Sequence, residues 1–311
     1  MRPEDFKERL EFPAGTVAAV SSHELQGAAQ VVMRSRFISY FTSRDRMSRR
    51  YARELPIFHL WGTIFLHSSW LNEGVVFPVH FGVLSELTGL TLPTVSRTVS
   101  LAVAQGDVVR QAFEGDYRRR TIDPTERLFL YRLEKTAALV ALWSELTGRP
   151  DPWQRITDTA QRDIMSVQCH FVRRSVLANS HSPIDRNQFL VLLALTAVGR
   201  TSKDDFVREH ARTIGMTRPG MALLVDRLAA RGLLDVAATG AVEISGSTRQ
   251  IMCALLGLLR YRFNAFLDLV EDVSLLSWVS ARIRKEATSI GVNAAGLDAG
   301  PDDNQPARAR G

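Results

Sequence analysis

LSELTGLTLPTVSRTVSLAVAQGDVVRQAFEGDYRRRTI, residues 84 to 122, decides how the rest of the chain is read. Leu84 and Leu87 put apolar side chains on one face of a short helix, and Gly89 stops it. Glycine enters the left-handed conformation that a helix end requires. Thr91 has the position of an N-cap, so its hydroxyl is expected to accept from a free amide of the next helix. Pro93 falls in the first turn, where a missing N–H costs little. Val95, Val99, Ala102 and Val103 recur at helical spacing and are assigned to the core. That leaves Thr94, Ser96, Arg97 and Ser100 pointing outward, and Gly106 ends the helix.

Val108 to Phe113 and Tyr117 to Ile122 are β-prone runs around the turn signal Glu114-Gly115-Asp116. Arg118, Arg119 and Arg120 follow the turn, and strand alternation puts Arg118 and Arg120 on one face. Two guanidinium groups on one finger suit phosphates or a narrow minor groove. Helix, tight turn, second helix and basic hairpin together read as a winged helix-turn-helix. Helix 91–105 would lie in a DNA major groove and wing 108–122 at the minor groove. The same pattern also occurs in proteins that bind only protein, and an arginine triplet is often a solvated surface.

Outside this stretch, 311 residues suffice for two domains, and 45% apolar with 23% charged residues is a globular composition. Net charge of +6 and a pI near 9.7 favour an anionic partner. The excess is largely arginine, which suits bidentate recognition of phosphate and guanine. MRPEDFKERLEF is too charged for a signal peptide, and no apolar run approaches the ~18–20 residues that span a bilayer, so no membrane role is expected. Cys169 and Cys253 make no disulfide framework, and buried inert thiols in a reducing, bacterial, nucleoid-associated cytoplasm are expected.

Residues 1–20 read as an N-terminal arm. Ser21 and Glu24 form a capping box for a helix with Leu25, Ala28, Val32, Met33, Phe37, Tyr40 and Phe41 as its apolar stripe. Arg34, Arg36, Arg44, Arg46, Arg49, Arg50 and Arg53 crowd its far end, where they either touch flanking phosphate or form a solvated face. Leu55 to Leu71 should be a floor helix under the motif, and Asp123 the N-cap of a long helix running to about Leu146, with Glu126 completing the box. Gly148 to Pro152 is the linker, separating a first domain, 21–147, from a second, 153–290. Ser274 to Ile290 is a last helix packed through Leu276, Trp278, Val279 and Ile283, and 291–311 a disordered tail.

The two domains repeat at an offset of 126 residues: Gly89, Thr91, Pro93, Val99 and Gly106 match Gly215, Thr217, Pro219, Val225 and Gly232. The fold class is therefore mainly α with small β-hairpin wings, as two tandem winged helix-turn-helix domains joined by long helices. The outward positions differ. Thr94, Ser96, Arg97 and Ser100 become Gly220, Ala222, Leu223 and Asp226, and the second wing has no arginine and carries Glu243. The first unit is expected to read DNA and the second to scaffold, dimerise or receive a partner. Arg218 and Arg227 are its candidates for secondary contact with the DNA backbone.

Thr91, Val95-Ser96-Arg97, Gly106 and Asp116-Tyr117-Arg118 resemble the motifs of the MarR-type winged-helix transcription regulators, including the tandem single-chain members of the related SarA group. The likeness covers roughly 25–145 and, more weakly, 155–275. It implies that Arg118 enters the minor groove with Asp116 orienting it, and that a tandem chain is similar to the family's terminal-helix dimer fused in one polypeptide, with a homodimer of such chains expected if only one half reads bases. A palindrome would then need two chains, with half-sites about one helical turn apart. Double-stranded DNA is the expected partner, with a small-molecule effector or the transcription machinery as further candidates.

No Walker A loop, G-x-G-x-x-G, H-E-x-x-H or G-x-S-x-G occurs, so neither an enzyme nor a cofactor is expected. Cys169-His170 with His181 matches no common zinc spacing, so no metal is expected. The alternatives are a tandem winged-helix replication initiator and a winged-helix protein–protein adaptor.

Overall fold

Ser21 opens the first helix by the device its sequence encodes. Its hydroxyl accepts from the Glu24 amide, and the Glu24 carboxylate accepts in return from Ser21. In the computed structural model, which describes residues 19–35, 55–79, 81–113, 116–179 and 186–297, this helix (α1) spans Ser22–Arg34. Extended backbone at Ser35 ends it. Phe37, Tyr40, Phe41 and the arginines from Arg36 to Arg53 lie outside the described residues.

The protein is mainly helical with two small antiparallel sheets. Apolar α2 (Leu55–Leu66) leads through turns to β1 (Pro78–Val79), α3 (Phe81–Thr88) and α4 (Leu92–Ala104). A hairpin of β2 (Val108–Phe113) and β3 (Asp116–Pro124) follows, then α5 (Glu126–Thr147). After a 3-10 turn at Trp153–Arg155 come α6 (Asp158–Asn179), α7 (Arg186–Val198), β4 (Thr201–Ser202), α8 (Lys203–Ile214) and α9 (Arg218–Ala230). The chain continues through β5 (Leu234–Val236), β6 (Ala241–Ile244), α10 (Gly246–Glu271) and α11 (Val273–Leu297). The sheets run β1-β3-β2 and β4-β6-β5. Among the described residues no helix is long and apolar enough to cross a membrane.

The repeat is visible in single hydrogen bonds. Gly89 and Gly215 take φ of +68° and +79° at the two turns. After the following helices, Asp107 donates its N–H to the Ala102 carbonyl at 2.9 Å and Leu233 to that of Leu228 at 3.0 Å. Each hairpin is closed in the same way, by Thr125 N–H to Asp107 at 2.9 Å and Ser245 N–H to Leu233 at 3.1 Å.

The halves interpenetrate. α1 packs on α7 of the C-terminal half, and α6 packs on α2 of the N-terminal half, so each half contributes its first helix to the other. Gln30 Nε2 donates to the Ala197 carbonyl at 3.0 Å across the first contact. Across the second, Gly62 lets α2 approach the α6 backbone at Cys169. α5 and α10 cross between the halves, where Trp143 stacks on Phe263 at 5.0 Å and meets Phe266 edge-on at 4.2 Å. Arg149, just after the left-handed Gly148, pairs with Asp268 at 2.6 Å and Glu271 at 2.7 Å on α10. One buried cluster extends from Val20 to Ala287.

Four local expectations are corrected. Asp123 is not a helix cap: it lies in β3 and accepts from the Ser69 amide at 3.0 Å and the Ser69 hydroxyl. Thr125 is the N-cap instead, its hydroxyl turned back to the Asp107 carbonyl at 3.0 Å. Val103 and Trp278 are exposed at 37% and 45%, because no described helix or strand covers those faces, and Trp278 carries only its own helix's Arg282 over its ring at 5.5 Å among the described residues. Finally, α11 continues to Leu297, into the stretch expected to be disordered; 298–311 lie outside the described residues. Cys169 and Cys253 are both buried and free, and burial pushes the Cys169 thiol up.

Candidate nucleic-acid interface

α4 is set by its buried side. Val95, Val99 and Ala102 are fully buried against the shared core, which fixes the helix rotation and turns the intervening residues outward. Arg97 and Ser100 are exposed, while Thr94 and Ser96 are half-buried beside them. The Arg97 guanidinium has no hydrogen bond or ion pair with a described residue, so its donors are available to a ligand. Thr91 is the N-cap residue, but its hydroxyl accepts from no helix amide. It pairs with the Thr94 hydroxyl at 2.9 Å instead, which joins two of the expected site residues at the start of the helix. Leu92 and Leu101, 51% and 47% exposed, add apolar surface on the same helix.

The hairpin follows directly. Its register pairs Ala112 with Arg120, Gln111 with Thr121 and Arg110 with Ile122, with an irregularity between Ala112 and Phe113. β1 pairs Val79 with Arg120. The next β2 residue, Phe113, pairs with Asp116, so the irregularity falls on the stretch of β3 that carries Arg118 and Arg119. The structure gives Asp116, Arg118, Arg119 and Arg120 a strand backbone; their side chains are outside what is described.

Three supports of this region carry no single-residue signal in the sequence. Arg110 stacks over the Phe81 ring at 4.6 Å, linking hairpin to α3. Arg127 pairs with the fully buried Asp107 at the end of α4 and donates to the Gln105 carbonyl at 2.9 Å. Trp70 stacks on Phe129 at 4.4 Å and donates to the Pro124 carbonyl at 2.5 Å, tying the base of β3 to the turn after α2. Each depends on segments brought together by the fold. Only the placing of Asp107 and Arg127 on either side of the hairpin leaves a trace in the sequence.

In the C-terminal half, α9 is positioned by the same logic, with Met221, Val225 and Leu228 buried. Thr217 does cap here, accepting from the Gly220 amide at 3.2 Å. Leu223, the counterpart of Arg97, is 51% exposed. Asp226, the counterpart of Ser100, is held by Lys203 Nζ at 2.5 Å. Arg218 and Arg227 are exposed and without a side-chain partner among the described residues. This surface offers separated cations around an apolar centre, with no hydroxyl or amide at the matched positions to read a base edge. No protein-family model matches this chain, and no curated protein matches it.

Proposed function

We propose that the chain is a sequence-specific double-stranded DNA-binding transcriptional regulator of the bacterial cytoplasm, built as two tandem winged helix-turn-helix units. In this reading α4 enters the major groove. Thr94, Ser96, Arg97 and Ser100 face the bases, with Thr91 at the helix start. Arg118, Arg119 and Arg120 on the wing take the flanking minor groove, with Asp116 orienting Arg118. One observation carries the reading: Arg97 stands exposed, with no partner among the described residues, on a helix whose opposite side is locked in the core. The resemblance to MarR- and SarA-type regulators supports it. The C-terminal unit serves as scaffold and contacts backbone at most, through Arg218 and Arg227. Two chains pair to read a palindrome, and no chemistry is catalysed.

Selection from a random duplex library, with affinity followed against salt, tests this. Arg97→Ala should relax preference at its base position by about 10–100-fold. Replacing both Arg118 and Arg120 with alanine should reduce the slope of log affinity against log salt by about 2. Absence of salt-dependent DNA binding would leave the protein-adaptor reading. Chromosomal sites arranged as direct repeats would assign the tandem units to a replication origin instead.

A further inference from the structure

Where α1 docks on the C-terminal half, a cleft of about 290 Å³ opens between α1, the end of α7, β6 and the first turn of α10. Its floor is apolar and buried: Leu25, Leu195 and Ile244. Its rim carries three basic side chains, His23, Arg200 and Arg249, and one carboxylate, Glu243. Among the described residues none of these four has a hydrogen-bonded or ion-paired side-chain partner, although all face one small space. Ser22 adds a hydroxyl to the lining, and the Thr196 hydroxyl donates to the Leu192 carbonyl at 2.7 Å. Glu24 is engaged by Ser21 and by Arg260 at 3.1 Å, and Gln26 Nε2 donates to the Ala197 carbonyl at 3.2 Å.

Two guanidinium groups and one carboxylate that leave each other unpaired are complementary to a molecule carrying both signs. A carboxylate suits the arginine fork, and an ammonium suits Glu243. Simple anions meet Glu243 and simple amines meet the arginines, so each is disfavoured where a zwitterion is not. The size is at the lower end of ligand sites, which run from roughly 300 to 1,000 Å³. The small volume favours a short side chain. We propose that this cleft binds a free α-amino acid with a small side chain, its carboxylate on Arg200 and Arg249 and its ammonium on Glu243. Helix α1 comes from one half and the remaining walls from the other, so the bound molecule fastens the helix exchange. This assignment is independent of DNA recognition.

The experiment is a melting screen of the full chain against the twenty L-amino acids at about 10 mM each, a level well above a sub-millimolar Kd. Titration calorimetry of the hits follows, with acetate, inorganic phosphate and ethylamine as controls. At least one small amino acid should raise the melting temperature and the three controls should not. Arg200→Ala, Arg249→Ala and Glu243→Gln should each weaken its binding by about tenfold or more, the size of one lost charge-assisted hydrogen bond. All three positions are on the rim, so circular dichroism should show each variant folded. The proposal fails if no amino acid shifts the melt, if phosphate binds as tightly as the best amino acid, or if the three variants bind like the parent.

Discussion

Filling Gly62 tests the helix exchange at a point where α2 meets the α6 backbone. A Cβ at Gly62 would stand 3.4 Å from the Cys169 carbonyl oxygen and 3.7 Å from its Cα and Cβ. Those are ordinary contact distances, so a methyl fits. Gly62→Ala should then gain the roughly 0.5–1 kcal/mol that glycine costs inside a helix. Leucine adds three more carbons against a helix backbone that cannot rotate away. Overpacking of that kind costs about 1–3 kcal/mol, and α2 and α6 must part to relieve it. Cys169 is a built-in reporter of the separation. It is 0% exposed, and burial pushes its thiol pKa up, so a maleimide reaches the thiolate only through opening. With Cys253 replaced by serine, Gly62→Leu should label about 30-fold faster, the ratio for a loss of about 2 kcal/mol. Gly62→Ala should label no faster than the parent, and urea unfolding should rank alanine above glycine above leucine. Equal labelling of parent and leucine variant would mean that α2 and α6 do not meet here. The exchange would then have to be abandoned.

The two helix starts predict unequal losses. Thr217→Ala removes a hydroxyl that accepts an amide and should cost about 1 kcal/mol in urea unfolding, whereas Thr91→Ala removes only a hydroxyl pair and should cost a few tenths. Equal losses would show that Thr91 caps after all. At α1, the Ser21 hydrogen bond and then Arg260 hold the Glu24 carboxyl below its ordinary value of 4.5. Its contribution is therefore present above that value and is lost as pH falls through the lowered one. Glu24→Gln should flatten this part of the acid unfolding profile, and superimposable profiles would remove Glu24 from the account. The exposed face of α9 should accept the chemistry of α4. Ala222→Ser, Leu223→Arg and Asp226→Ser together should leave the melting temperature nearly unchanged and strengthen DNA binding at low salt, since a cation is added and Lys203 is released. Gly220 is excluded from the graft because a Cβ there would press on Thr217 Oγ1 at 3.0 Å. A triple variant that folds and binds no better would show that α9 faces away from the duplex.

What the sequence disclosed is what short-range chemistry controls. The Ser21–Glu24 box, the left-handed glycines and the buried positions 95, 99 and 102 all depend on residues within one or two turns. The misplaced cap at Asp123 has a longer-range cause. Ser69, 54 positions away, claims the carboxylate and extends β3 to Pro124, which moves the helix start to Thr125. Val103 and Trp278 have the spacing of core residues, but spacing fixes only which residues share a face, not whether a neighbour covers it. For the same reason the outward set on α4 was legible, and the Arg110–Phe81 and Arg127–Asp107 supports were not. The exchange of first helices was invisible. An amphipathic stripe specifies that a helix must be buried, and either half could supply the partner.

That exchange bears on why the C-terminal half keeps the full frame while its outward residues differ. The two halves agree in the turns, the hairpin closures and the buried side of α4 and α9, all of which determine the fold. They differ at Arg97 and Leu223, and at Ser100 and Asp226, all exposed positions where substitutions change stability little. The C-terminal unit can thus carry different outward side chains without losing structure. It cannot be dispensed with, because α7 buries α1, and α6 covers α2 beneath the N-terminal α3. Under the proposed function, the second half therefore acts on DNA recognition through packing: it holds up the half that reads. Damage to its core should abolish DNA binding, and damage to its exposed α9 face should not.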